Sequence, residues 1–202
     1  MDIALFDFDG TITTKESISC FLMYISNTRI EFLKRISPHL PYILMYFLGI
    51  YPNWRLKQDI LGSFVKGMEV ERFRAFAYNF SRDRLNNILR PEAMGRIDWH
   101  KKRGDEIVIV SAGIKDYIEP WANQNGIRYV IAVDLEVING KMTGRLNGEN
   151  CYGKEKVRRI KERFDLNKYK NIYAYGDTKG DKEMLAIADY AFYRFKPLRP
   201  LL

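Results

Sequence analysis

Three short apolar runs, each ending in oxygen-bearing side chains, constrain this chain most. They are IALFDFD at residues 3–9, IVIVS at 107–111 and IYAYGD at 172–177. Each is short and apolar on both faces, the pattern of a strand whose sheet is covered by helices on both sides. Helical patterns separate the later runs, so the back half alternates strand and helix. That alternation predicts a mostly parallel sheet with right-handed crossovers, an α/β fold. In such a sheet ligands bind beyond the carboxyl ends of the strands. Asp7, Asp9, Ser111 and Asp177, far apart in sequence, are therefore expected at one spot.

One block interrupts the alternation. Apolar residues recur at helical spacing through Ile18, Phe21, Leu22 and Ile25, and again through Ile60, Leu61, Phe64, Val65 and Met68. The pattern continues with Val70, Phe73, Ala77 and Phe80. Residues 14–89 are thus expected to form an all-helical cap inserted after the first strand, with 1–13 and 90–202 as the core. Pro91 opens a further helix that Gly104 ends. A strand is expected at 127–133, then a β-hairpin turning at Asn139-Gly140, a basic helix from Lys154, and last a strand in YAFYRF.

Composition bounds the partners. The chain has 202 residues, 47% of them hydrophobic, enough for one domain with an inserted module. Its net charge of +8 suits an anionic ligand, nucleic acid or an acidic membrane, and equally a plain basic surface. No helix-turn-helix, zinc spacing or RNA-binding signature supports nucleic acid. Cys20 and Cys151 lie far apart without a pairing motif and read as free thiols in a reducing compartment. The start lacks the pattern of a signal peptide. The expected location is the cytoplasm, with peripheral contact at the inner face of the membrane as the alternative. The stretch LPYILMYFLGIY, from Leu40 to Tyr51, is almost wholly apolar but too short for the roughly 20 residues of a spanning helix. It is either core-packed or a membrane-touching patch.

Chemistry follows from the strand ends. Carboxylates gathered in one pocket repel one another unless a cation sits among them, and hard oxygen ligands suit Mg²⁺. A lysine at the start of the basic helix, Lys154 or Lys156, joins them, as does Asp181. Metal, lysine, hydroxyl and helix N-terminal amides together describe a phosphoryl site. In it one aspartate of the first run serves as nucleophile while its neighbour moves a proton.

These residues carry a resemblance. DFDGTIT resembles the first motif of the haloacid dehalogenase superfamily, VIVSAG its second and YGDTKGD its fourth, in the family's order. The helical cap is similar to that of the subgroup containing phosphoserine phosphatase. CYGKEKVRRI and the segment after YGD resemble a bacterial branch that includes a phosphatidylglycerophosphate phosphatase. The resemblance implies a three-layer Rossmann-like core and a Mg²⁺-dependent phosphomonoesterase. It assigns Asp7 as nucleophile and Asp9 as general acid and base. Asp7, the main-chain carbonyl of Asp9, and Asp177 would hold Mg²⁺. Ser111, with Ala112 and Gly113, would bind the phosphoryl oxygens, helped by Gly10 and Thr11. The branch pattern Gly-x-x-Lys-Val places the lysine at Lys156, while helix-start geometry also allows Lys154. Asp181 would orient that lysine or a metal-bound water, and Glu16 would touch substrate.

Plainer readings stand beside these. Ser111 also suits a helix N-cap, as does Asp181, and the basic run Arg158 to Arg163 a solvated helix face. His100 reads as structural. A dehalogenase would not need Asp9, and a non-catalytic binding protein would have no use for the whole set. The substrate is expected to be a phospholipid or membrane-proximal phosphate, or else a small soluble ester such as phosphoserine.

Overall fold

The computed structural model describes residues 1–198. Its centre is a six-stranded sheet in the order β3-β2-β1-β6-β7-β8. The strands are β1 (Ile3–Phe6), β2 (Glu106–Ile114), β3 (Tyr129–Val133), β6 (Ile172–Gly176), β7 (Tyr190–Tyr193) and β8 (Lys196–Pro197). All pair in parallel except the short edge strand β8. β1 lies between β2 and β6, with Ile3 opposite both Glu106 and Ile172. It is buried along its whole length, which is why its sequence is continuously apolar.

Between β1 and the next core helix come five α-helices: α1 (Ser17–Ile25), α2 (Arg29–Ile36), α3 (Leu40–Phe47), α4 (Asn53–Val65) and α5 (Val70–Asp83). The expected all-helical block is therefore present. Its helices bury themselves unequally. α4 buries Leu56, Leu61, Phe64 and Val65, and α5 buries Phe73, Ala77 and Phe80, whereas α2 and α3 bury no residue. The core-packed reading of residues 40–51 is thus overturned. Phe47 is 77% exposed and Leu44 62%.

The remaining core helices are α6 (Pro91–Arg103), α7 (Lys115–Gln124), α8 (Lys154–Arg163) and α9 (Lys182–Ala186). Gly104 takes a left-handed conformation and caps α6 as expected. β2 runs three residues past Ser111, because α7 begins only at Lys115 with Ile114 at its N-cap. Ser111 is therefore not a helix cap. The basic face of α8 is not simply solvated either. Arg159 donates to the Ala132 carbonyl at 3.1 Å and Arg163 to that of Val130 at 3.0 Å, so both cover free carbonyls of the sheet's edge strand β3. His100 is structural, fully buried between Asp105 at 2.8 Å and the Tyr175 hydroxyl at 3.0 Å.

The expected hairpin forms from β4 (Leu135–Ile138) and β5 (Lys141–Leu146), turning at Asn139-Gly140, both at positive φ. It joins the helical block to the sheet. Met142 exchanges two backbone hydrogen bonds of 2.8 Å with the link between α4 and α5, through Gly67 N–H and the Met68 carbonyl. Val70 N–H donates to the Gly140 carbonyl at 2.9 Å. Gly144, at φ +83°, lies so close to α4 that a Cβ there would come within 2.4 Å of the Gly62 Cα.

Candidate active site

The carboxyl ends of β1, β2 and β6 meet beneath the helical block. Asp7 follows β1, and the chain then turns tightly through residues 8–12, with Gly10 at φ +83°. A Cβ on Gly10 would sit 2.3 Å from Asp177 Oδ2, so only glycine lets the first and last of the sequence runs close on each other. Ser111 is 1% exposed, and its hydroxyl accepts from Gly113 N–H at 2.8 Å.

Lys156 is the pivot. It is 2% exposed, and its ammonium donates to Asp7 Oδ1 at 2.6 Å, Asp181 Oδ1 at 2.6 Å and the Val110 carbonyl at 2.8 Å. All three ammonium protons therefore have acceptors. Lys154 is exposed and does not line the cavity, so the structure brings Lys156 and not Lys154 to the site. Asp181 makes no side-chain cap bond to α9. Its second oxygen instead accepts from the backbone N–H groups of Asp177 at 3.2 Å and Thr178 at 2.9 Å. Thr11 was expected beside the phosphoryl oxygens. Its hydroxyl is committed to Asp177 Oδ1 at 3.1 Å, and neither it nor Gly10 lines the cavity.

One lysine faces more negative charge than it can neutralise. Asp7, Asp177 and Asp181 each offer a carboxylate oxygen within 4.8 Å of the others. Burial, with Asp181 and Asp9 nearby and against the pull of Lys156, pushes the Asp7 carboxyl up to about 8. Burial also raises Asp177. For Asp181 burial is outweighed by Lys156 and the Thr178 donors, which hold its carboxyl below the usual range. Lys156 itself is held above the ordinary lysine range, because Asp7 and Asp181 outweigh its burial. Both Asp181 oxygens are hydrogen-bonded, while Asp7 and Asp177 each keep an oxygen without a partner among the described residues. An all-oxygen set with surplus negative charge and free lone pairs fits a hard divalent cation such as Mg²⁺.

Asp9 is treated differently. Its carboxylate turns away from the other three and accepts from Ser17 N–H, at the start of α1, at 2.7 Å. Among the described residues no cation forms an ion pair with it, and burial raises its pKa against the pull of the Ser17 hydrogen bond and of Lys57 and Lys156. Asp7, Asp9, Ser111, Ala112, Gly113 and Lys156 all line one cavity of about 660 Å³ whose far wall comes from α1 to α4. Glu16 lines it too, its carboxyl pushed up to about 7 by burial and by the charges of Asp9 and Asp177.

Two residues were missed in the sequence. Lys57 of α4 reaches across the cavity to the Ala112 carbonyl, and burial pushes its ammonium down to about 8 against Asp9, Cys151 and Glu16. Tyr117 of α7 is fully buried, and its hydroxyl pairs with Ser17 at 2.9 Å. Neither belongs to a motif, and each matters only because two elements meet there.

Comparison with known proteins defines the class. Residues 4–186 match the family of haloacid dehalogenase-like hydrolases, and the chain belongs to that family. Its enzymatic class is that of a phosphatase. It is 35% identical over 200 residues to Protein CicA of Caulobacter vibrioides, covering 96% of this chain and 88% of that one. A probable phosphatase of Mycobacterium tuberculosis is 28% identical over 195 residues, covering 93% and 67%. Among solved structures, a Bordetella pertussis protein of unknown function superposes with a TM-score of 0.79 at 22% identity, over 95% of this chain and 89% of that one. A phospho-aspartyl intermediate analogue of phosphoserine phosphatase superposes with a TM-score of 0.60 at 24% identity, over 95% and 85%.

Proposed function

We propose that the protein is a Mg²⁺-dependent phosphomonoesterase working through an aspartyl-phosphate on Asp7, with residues 14–89 as a cap over a core of 1–13 and 90–202. The observation that carries this reading is the unequal treatment of two neighbouring aspartates. Asp7 is bound to the Lys156 ammonium at 2.6 Å, whereas Asp9 has no such partner among the described residues and accepts instead from the Ser17 N–H at 2.7 Å on the helical side of the cavity. The first suits a nucleophile and the second a proton donor.

In the first half-reaction the Asp7 carboxylate attacks phosphorus while the ester P–O bond breaks, and the Asp9 carboxyl gives its proton to the leaving oxygen. In the second, Asp9, now ionised, takes a proton from water as that water attacks phosphorus, releasing phosphate and restoring Asp7. The Ser111 hydroxyl, held by the Gly113 N–H, and the Ala112 amide bind the phosphoryl oxygens, and Lys156 offsets their charge. Asp181 and the Val110 carbonyl keep Lys156 aimed. Asp7, Asp177 and the main-chain carbonyl of Asp9 would hold Mg²⁺, whose positive charge would keep Asp7 ionised near neutrality.

The leaving group is read from the outer cavity. Ile18, Leu22, Phe32, Ile36, Ile43 and Phe47 line it, which supports a phosphate ester with an apolar body, such as a phospholipid or another membrane-proximal phosphate. A second reading has its own support. Glu16 and Lys57 offer one charge of each sign, which suits the ammonium and carboxylate of phosphoserine. The mechanism is tested by hydrolysis of p-nitrophenyl phosphate with EDTA and with added Mg²⁺, together with mass spectrometry of the quenched enzyme. Metal-dependent release and a hydroxylamine-sensitive phosphoryl group on the Asp7 peptide are expected. Release without either refutes it. Relative turnover of phosphoserine and of phosphatidylglycerol phosphate in detergent separates the two substrates.

A further inference from the structure

α3 presents an apolar surface that its own fold leaves uncovered. Leu40, Leu44, Phe47 and Leu48 are 57%, 62%, 77% and 65% exposed. Ile30 and Leu33 of α2, 66% and 61% exposed, and Trp54 at the start of α4, 50% exposed, add uncovered apolar side chains on the helices before and after it in the chain. Scattered exposed hydrophobics need no explanation, but a cluster of this kind marks an interaction site. Between residues 36 and 54 there is no Asp, Glu, Lys or Arg.

The surrounding charge selects the partner. Arg29, Lys34 and Arg55 are exposed beside the apolar side chains. Both acids between residues 28 and 66 are engaged internally. Glu31 accepts from Arg35 at 2.8 Å, and Asp59 from the Tyr51 hydroxyl at 2.5 Å. The surface is therefore apolar at its centre and positive at its edge, in a chain of net charge +8. A second copy would bring like charges together, whereas an anionic bilayer meets both features at once. Phe47 stands on this surface and also lines the catalytic cavity, so the cavity is continuous with it.

We propose that the face formed by α2, α3 and the start of α4 docks on anionic lipid bilayers, holding the cavity at the membrane surface. The proposal rests on the lipid-phosphate reading for its use but not for its test. The test is co-sedimentation of the full chain with vesicles of phosphatidylglycerol and phosphatidylcholine, against phosphatidylcholine alone. Neither lipid is a phosphomonoester, so binding is read apart from turnover. Wild type is expected to sediment with the anionic vesicles and to be released by salt. Leu44→Ser with Leu48→Ser, at positions that support no core, should weaken binding at least about tenfold. Its p-nitrophenyl phosphate turnover should match wild type. Arg29→Ala and Lys34→Ala should each weaken binding about fivefold, from about 1 kcal/mol per basic residue at an anionic surface.

Wild type that stays in the supernatant with anionic vesicles, while still hydrolysing p-nitrophenyl phosphate, overturns the proposal and leaves the phosphatase reading standing. Sedimentation without hydrolysis of any phosphomonoester does the reverse. A dimer in sedimentation velocity that the Leu44/Leu48 variant dissolves identifies the face as a self-interface and also overturns it.

Discussion

The core and the cap both send a lysine into the same cavity, and the two are held in opposite ways. Lys156 is locked between two carboxylates and a carbonyl, and its charge is reinforced. Lys57 reaches one carbonyl from the cap side, and burial pushes its ammonium down to about 8. The same side chain thus becomes a fixed cation or a titratable one according to how many acceptors close around it. The contrast extends to the walls. Core groups at the site are polar and almost wholly committed to one another, while the cap offers mainly apolar side chains. On the proposed reading the core carries the chemistry and the cap selects the substrate.

Changes that break the core half should cost most. Asp7→Asn keeps the shape but removes the proposed nucleophile, and turnover of p-nitrophenyl phosphate should fall by about 10⁴-fold or more. Residual activity within tenfold of wild type would exclude covalent catalysis at Asp7. Asp9→Asn should lose about 10²- to 10⁴-fold on an alkyl phosphate, the usual share of acid–base catalysis. The loss should shrink with p-nitrophenyl phosphate, whose leaving group needs less protonation, and equal losses on both would contradict the acid role. Lys156→Ala should lower kcat by about 10²- to 10³-fold, with Lys154→Ala close to wild type. A larger loss from the Lys154 change would reverse the assignment.

Cap-side changes should act on stability and substrate affinity. Gly144→Ala forces a side chain into left-handed backbone against Gly62 and should cost about 2 kcal/mol in urea unfolding. Unchanged stability would mean that the hairpin is not pinned to α4. The smallest effect belongs to Lys57→Met. The folded protein releases the Lys57 proton at about 8 and the unfolded chain at about its ordinary 10.5, so between these values the unfolded chain binds more protons. Stability should therefore gain a contribution from Lys57 as pH rises above 8, and Lys57→Met should lack it. The same titration should raise KM for anionic esters above pH 8 in wild type by a few-fold, and Lys57→Arg should remove that rise. Identical pH profiles in wild type and both variants would show that Lys57 does not titrate there.

The sheet was legible because its sequence runs are apolar on both faces and give way abruptly to Asp7, Ser111 and Asp177, a signal that needs no knowledge of partners, although β2 itself continues to Ile114. The position of Lys156 followed from the motif resemblance. Other features depend on what an element meets. Residues 40–51 have the composition of a buried helix, and nothing local tells a covered apolar helix from an uncovered one. Arg159 and Arg163 look like solvent-facing charges until β3 arrives with free carbonyls beside them. The commitment of Thr11 to Asp177 joins residues 166 positions apart. Lys57 is one of several polar residues in an amphipathic helix, and only the docking of α4 over Ala112 gives it a role.

The order of the sheet also bears on how the chain assembles. β1 is central, yet its two neighbours are β2 and β6, which follow it only after the helical block and much of the core. Closing a loop of that length costs about 4 kcal/mol of chain entropy before any ladder forms. The helices of residues 17–83 need only contacts near in sequence to form, so topology sets them ahead of the sheet. β1, wholly apolar and with both edges unpaired until then, is the segment exposed longest to wrong partners. Asp7 follows it directly, so the proposed nucleophile reaches its place only when β1 has paired with both of its neighbours.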